Sequence, residues 1–158
     1  MKSFLIVSLL TIFLTSCKKN EPTYYVSSGT MSAKIYGVEW TAGIVDLSES
    51  YNFPIYGNVL IIYGFTKVGS SSGFYITSPY YEGTHATNDS LIVTYTSDFN
   101  VSTSSTQPNT NFIMTFHRTV AGYDGNIPLY NYSITFSGTL SGYLTITDGK
   151  LDWNWIKK

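Results

Sequence analysis

The side chains able to do chemistry are few in this chain of 158 residues: two His, one Cys, ten Asp and Glu, and twenty Ser. His85 and His117 do not stand at the i, i+2 or i+4 spacing that presents two imidazoles to one metal ion. His117 shares a strand face with Ile113, Thr115 and Thr119, which suits a solvent-facing or rim histidine better than a ligand. A single Cys excludes a Cys-rich zinc site and an intramolecular disulfide framework. Most acids sit where turns want them: Asp124 and Asp148 precede Gly, and Asp89 lies in a loop. With twenty Ser, accidental Ser-His-Asp combinations are inevitable, and geometry alone defines a triad. No catalytic residue, metal or cofactor is expected. Stacking has more substance. Trp40, Tyr80, Tyr81, Trp153 and Trp155 can form an aromatic platform for a sugar or a peptide, because ring faces stack on the apolar patches of a pyranose. The competing reading places Trp153 and Trp155 in the core of the last strand, in line with Leu151. Tyr80-Tyr81 lies between Pro79 and Glu82-Gly83 and reads as an exposed loop.

The remaining reactive group is the thiol of Cys17. It follows Met1-Lys2-Ser3 and the apolar run Phe4 to Leu14, the dimensions of a secretory signal and too short to span about 30 Å of hydrocarbon as a helix. Leu14-Thr15-Ser16-Cys17 resembles the lipobox of bacterial lipoproteins. The resemblance implies cleavage of residues 1–16, a diacylglycerol thioether on Cys17 and acylation of the new amino group. Three acyl chains, at about 0.8 kcal/mol per buried CH₂, anchor stably where one myristoyl chain does not. Lipidation also consumes a thiol that would be a liability in an oxidising compartment. Lys18 follows in place of the inner-membrane retention Asp, which points to the outer membrane and leaves its periplasmic or surface-exposed side open. A net charge of −1 and a pI near 6.0 argue against nucleic acid as a partner.

The elements that must position these residues are strands. Ser and Thr number forty, and no stretch is rich in Ala, Glu, Leu and Lys. Residues 17–28 read as a lipidated polar tether and 29–158 as one β domain, with period two from Thr30 onward. In Tyr132 to Leu140, the residues Tyr132, Ile134, Phe136, Gly138 and Leu140 alternate without exception against Ser133, Thr135, Ser137 and Thr139. After Ser141-Gly142 the chain returns with Leu144 and Ile146 facing in. Asp148-Gly149 marks either a hairpin turn or a bulge. Ala33 to Ala42 reads as a tight hairpin with Ile35, Val38 and Trp40 inward, and Asn58 to Thr66 as a central strand covered on both faces. Phe74 to Thr77, Leu91 to Ser97 and Asn111 to Thr119 complete the set. The loop reading extends over His85 to Ser90, and Asp98 to Thr110 is a long connection of the functional or disordered kind. About eight to ten strands make an antiparallel β-sandwich or a partly closed barrel.

The hairpin Met31 to Ala42, with Ile134 to Leu140 and Ile146 to Leu151 near the other end, resembles an uncharacterised family of small Bacteroidota lipoproteins. Leu140 and Leu151 replace the usual aromatics of its closing motifs. The resemblance implies a lipid-anchored β domain and carries no catalytic residues. Asp89-Ser90-Leu91 resembles the short O-glycosylation acceptor of exported proteins in that phylum, with Ser90 as the acceptor. The expectation is a non-catalytic envelope lipoprotein held to the membrane by its lipid, with a glycan or a protein as partner. Replacement of Cys17 by Ser is expected to move the protein from the membrane to the soluble fraction, read by cell fractionation. A variant that still sediments with membrane would refute lipid anchoring.

Overall fold

The computed structural model describes residues 24–53, 57–67, 72–87, 91–97, 102–104 and 110–158. Eleven strands run through them: β1 (Tyr25–Ile35), β2 (Val38–Thr41), β3 (Ile44–Phe53), β4 (Gly57–Phe65), β5 (Gly73–Pro79), β6 (Gly83–Ala86), β7 (Ile92–Thr96), β8 (Ser102–Ser104), β9 (Asn111–Asp124), β10 (Ile127–Leu140) and β11 (Leu144–Lys157). They form two antiparallel sheets, ordered β2-β1-β11-β10-β9-β6 and β3-β4-β5-β7-β8, with no closed barrel. The all-β antiparallel reading therefore holds, as two sheets packed face to face.

Alternation explains how the sheets meet. Phe112, Met114 and Phe116 of β9, Tyr132, Ile134 and Phe136 of β10, and Leu151 and Trp153 of β11 point inward. They close on Leu60, Ile62, Phe74, Ile76 and Val93 of the second sheet. Phe74 is the hub: Trp40 meets it edge-on at 4.9 Å, Tyr95 at 4.9 Å and Phe136 at 5.6 Å between ring centroids. Two glycines make room for large rings. A Cβ at Gly29 would lie 2.5 Å from Trp153 Cε3, and one at Gly149 would collide with the Phe136 ring, so both side chains pack directly on backbone. Asp148-Gly149 is a bulge inside the continuous β11: the β10 register skips between Phe136 and Gly138, and Asp148 adopts φ 53°. The hairpin turn Tyr36-Gly37 has positive φ at both residues (53° and 78°), matching the twist of the strands it joins.

Several expectations change. β1 begins at Tyr25, so residues 25–28 belong to the sheet and pair with β11, from Tyr25↔Lys157 to Ser28↔Asn154. β2 pairs only with Ser32 to Ile35, which leaves this half of β1 an edge where polar side chains are tolerated. Val38 points to solvent at 69% exposure: it sits at the turn, beyond the cover that reaches Trp40. His85 is not in a loop but buried in β6, pairing with Met114. Within Asp98 to Thr110, Ser102–Ser104 pairs with β7 as β8; its residues 98–101 and 105–109 lie outside the described residues. β4 buries Leu60 and Ile62 in the core, while its other face, with Ile61, Tyr63 and Phe65, is only half covered.

Gly138 holds φ 149°, and a Cβ there would run into the backbone of Asn111 and Phe112. Gly138→Ala is expected to cost about 2–3 kcal/mol, lowering the urea midpoint by about 1 M or more. Ser137→Ala, on the exposed face of the same strand, should leave the midpoint within about 0.3 M.

Candidate functional site

The five aromatic side chains expected to form a platform are scattered. Trp153 (6% exposed) and Trp40 (8%) are core residues. The buried indole Nε1 of Trp40 is without a hydrogen-bond partner. Tyr80 is half-buried, and the Arg118 guanidinium lies over its ring at 4.7 Å and over that of Tyr130 at 4.6 Å. Tyr81 is exposed and meets His85 edge-on at 4.6 Å, and His85 Nε2–H donates to the Tyr81 carbonyl at 2.8 Å. Burial of Trp40 and Trp153 removes them from any platform, because period-two alternation aims both into the core, Trp40 against Phe74. Trp155, half-buried at the end of β11, lines a cavity. Cys17 and Ser90 lie outside the described residues.

That cavity has a definite structural origin. The ladder between β10 and β11 runs from Leu140↔Leu144 to Tyr132↔Trp153 and stops. Beyond it, β11 stays with β1 as far as Tyr25↔Lys157, and β10 stays with β9 as far as Ile127↔Asp124. The first sheet thus forks into two arms. A bulge in the β9–β10 register between Leu129 and Tyr130 sits at the fork. The N–H of Trp155, which has lost its place in the ladder, donates instead to Asn131 Oδ1 at 2.8 Å. Between the arms lies a cleft of about 470 Å³, lined by Tyr24, Tyr25, Trp155 and Lys157 on one side and Tyr123, Asp124, Gly125 and Leu129 on the other. Tyr25 crosses it: a Cβ at Gly122 would fall on the Tyr25 phenol.

Chemically the cleft offers aromatic faces, one carboxylate, one ammonium and the tight turn Gly125-Asn126, with Gly125 at φ 59°. Its volume suits a small polar ligand with apolar patches. Asp124 and Tyr123 read in sequence as turn residues and Tyr24-Tyr25 as tether. The signal that could have joined them is the pairing of β1 with β11, which no local pattern reports.

The polar groups elsewhere do different work. Tyr132 donates to Glu49 Oε1 of β3 across the sandwich, and Tyr80 hydrogen-bonds with both. On the outer face of the first sheet, His117, Ser133 and Asp152 stand side by side on β9, β10 and β11. Ser133 Oγ donates to Asp152 at 3.3 Å, so the hydroxyl occupies the middle position that a triad gives to the imidazole. Gly69-Ser70-Ser71-Ser72-Gly73 has the letters of a nucleophile elbow, yet it joins strand β4 to strand β5 and not a strand to a helix. Among the described residues no group of three His, Cys, Asp or Glu is placed to hold a metal ion.

Burial first, then the hydrogen bond to Glu49, pushes the Tyr132 phenol far above the usual tyrosine range. An unfolded tyrosine ionises near pH 10. Above that pH the unfolded chain binds fewer protons than the folded one, so stability is full below about pH 10 and falls as pH rises, by up to about 1.4 kcal/mol per unit for this group. Urea unfolding between pH 8 and 11 should show the decline, and Tyr132→Phe should remove about one proton from its slope. Tyr80 and Tyr63, both raised chiefly by burial, and Lys34, raised by its hydrogen bond to Asp148, act in the same direction. Comparison of the chain with protein-family models, curated proteins and solved structures finds no match.

Proposed function

We propose that this chain is a lipid-anchored envelope protein of the outer membrane, similar to small Bacteroidota lipoproteins, whose β domain works without catalysis by binding. The observation that carries the binding reading is the forked cleft, where Tyr24, Tyr25, Tyr123 and Trp155 surround Asp124 and Lys157. Anchoring rests on Leu14-Thr15-Ser16-Cys17, in which the chain's single Cys completes the lipobox pattern. Only seven residues separate Cys17 from the first strand, so the cleft belongs to the end of the domain nearest the lipid.

A second reading, a carbohydrate-binding module, is favoured by the cleft's composition. Aromatic rings give a pyranose its stacking surface, and Asp124 and Lys157 supply an acceptor and a donor for its hydroxyls. The original platform of Trp40, Tyr80, Tyr81, Trp153 and Trp155 narrows to Trp155 with three tyrosines.

Titration with a panel of neutral and acidic oligosaccharides, followed by Trp fluorescence, tests this. A binding sugar is expected to perturb Trp155, and Tyr123→Ala should weaken it about five- to tenfold, the range of one lost aromatic contact. Tyr81→Ala, outside the cleft, should leave affinity unchanged. Equal effects of the two variants would refute the cleft as the site.

A further inference from the structure

The exposed apolar side chains of this domain are not spread evenly. Tyr24, Val26, Val120, Tyr123, Ile127 and Ile156 are all solvent-facing and all belong to the forked end of the first sheet. Val26 and Ile156 are direct cross-strand partners. Tyr123 pairs with Pro128, and Ile127, the most exposed of the six at 68%, closes the β9–β10 turn beside them. Single exposed hydrophobics need no explanation, but six at one end of one sheet do.

We infer that this end of the sandwich is a seat that rests on the lipid surface, with the tips of both arms of the fork in contact with the head-group and upper acyl region. The inference rests on the anchoring reading above. Tether length selects the end: seven residue steps from Cys17 to Tyr24 reach at most about 25 Å. β1, eleven residues long, extends about 37 Å before the opposite turn. The far end, with its own exposed Tyr36 and Val38, therefore cannot be the end that stands on the bilayer while Cys17 remains anchored. Composition agrees with the choice. Tyr24, Tyr123 and Trp155 have the amphipathic rings that settle at membrane–water interfaces, and Ile127, Ile156 and Val26 supply apolar area. Lys157 shares the cleft with Asp124, and Lys158 pairs through its backbone with Tyr24 in the same region. Lys18 and Lys19 of the tether add charge toward anionic head groups. The cleft then lies at head-group level.

The test uses the acylated protein, which has no cysteine besides Cys17. Ile127→Cys and, as a control at the far end, Val38→Cys are labelled with a polarity-sensitive thiol dye. Each is reconstituted into neutral phosphatidylcholine vesicles containing a nitroxide-labelled lipid. The dye at position 127 is expected to shift to the blue and to be quenched about twofold or more, while that at position 38 keeps its aqueous emission. Equal, water-like emission at both positions in protein that floats with the vesicles overturns the seat alone. A blue shift at position 127 without quenching by the lipid nitroxide means contact with a protein or a second copy, and also overturns it. If the wild-type protein itself takes up dye and does not float, Cys17 is unmodified, and both the anchoring reading and the seat fall.

Discussion

The pairing of the first strand with the last, from Tyr25↔Lys157 to Ile35↔Ile146, is the constraint on which the rest of the molecule depends. It is the least local pairing in the fold and closes the longest loop, at an entropic cost that rises only slowly with length. What it contributes is position. Residues joined to the end of β11 are drawn to the same place as the residues just after the tether, so Tyr24 and Tyr25 stand beside Trp155 and Lys157. Without that pairing the forked cleft would have only one wall.

A second constraint acts across the sandwich. The ring cluster around Phe74 joins the sheets without direction, as apolar burial does. The Tyr132–Glu49 hydrogen bond, joined by Tyr80, adds direction, because a buried phenol and a carboxylate need partners in fixed positions. Together they tie β10 to β3 and β5 across the sandwich. The same grip does not extend past Tyr132↔Trp153, and there the arms separate. Packing in the middle and divergence at one end are thus parts of one arrangement.

Much of the fold was legible where one sheet face meets water and the other meets the core. Tyr132 to Leu140 alternates without a break, and its burial follows residue by residue through Phe136. Trp153 in line with Leu151 was readable as core for the same reason. β3 gives no clear apolar period, because its inward positions are Val45, Leu47 and then Glu49, whose carboxylate breaks it. The start of β1 is not legible locally, because Tyr25 to Ser28 carries residues suited equally to a tether and to an edge strand. β6 has four residues and its one buried side chain is His85, so no apolar alternation marks it as a strand.

By itself the sequence determined that the domain is built of antiparallel strands, and which face of the strongest ones is apolar. Side chains alternate with period two whatever a strand's neighbours are, so that information is local. Only the tertiary structure decided which aromatic residues remain at the surface and which of them meet. Trp40 and Trp153 went to the core, and Trp155 joined Tyr25 and Tyr123, residues far from it along the chain. The physical reason is that strand pairing is set by hydrogen bonds and packing between distant segments, and no short run of sequence records its partner.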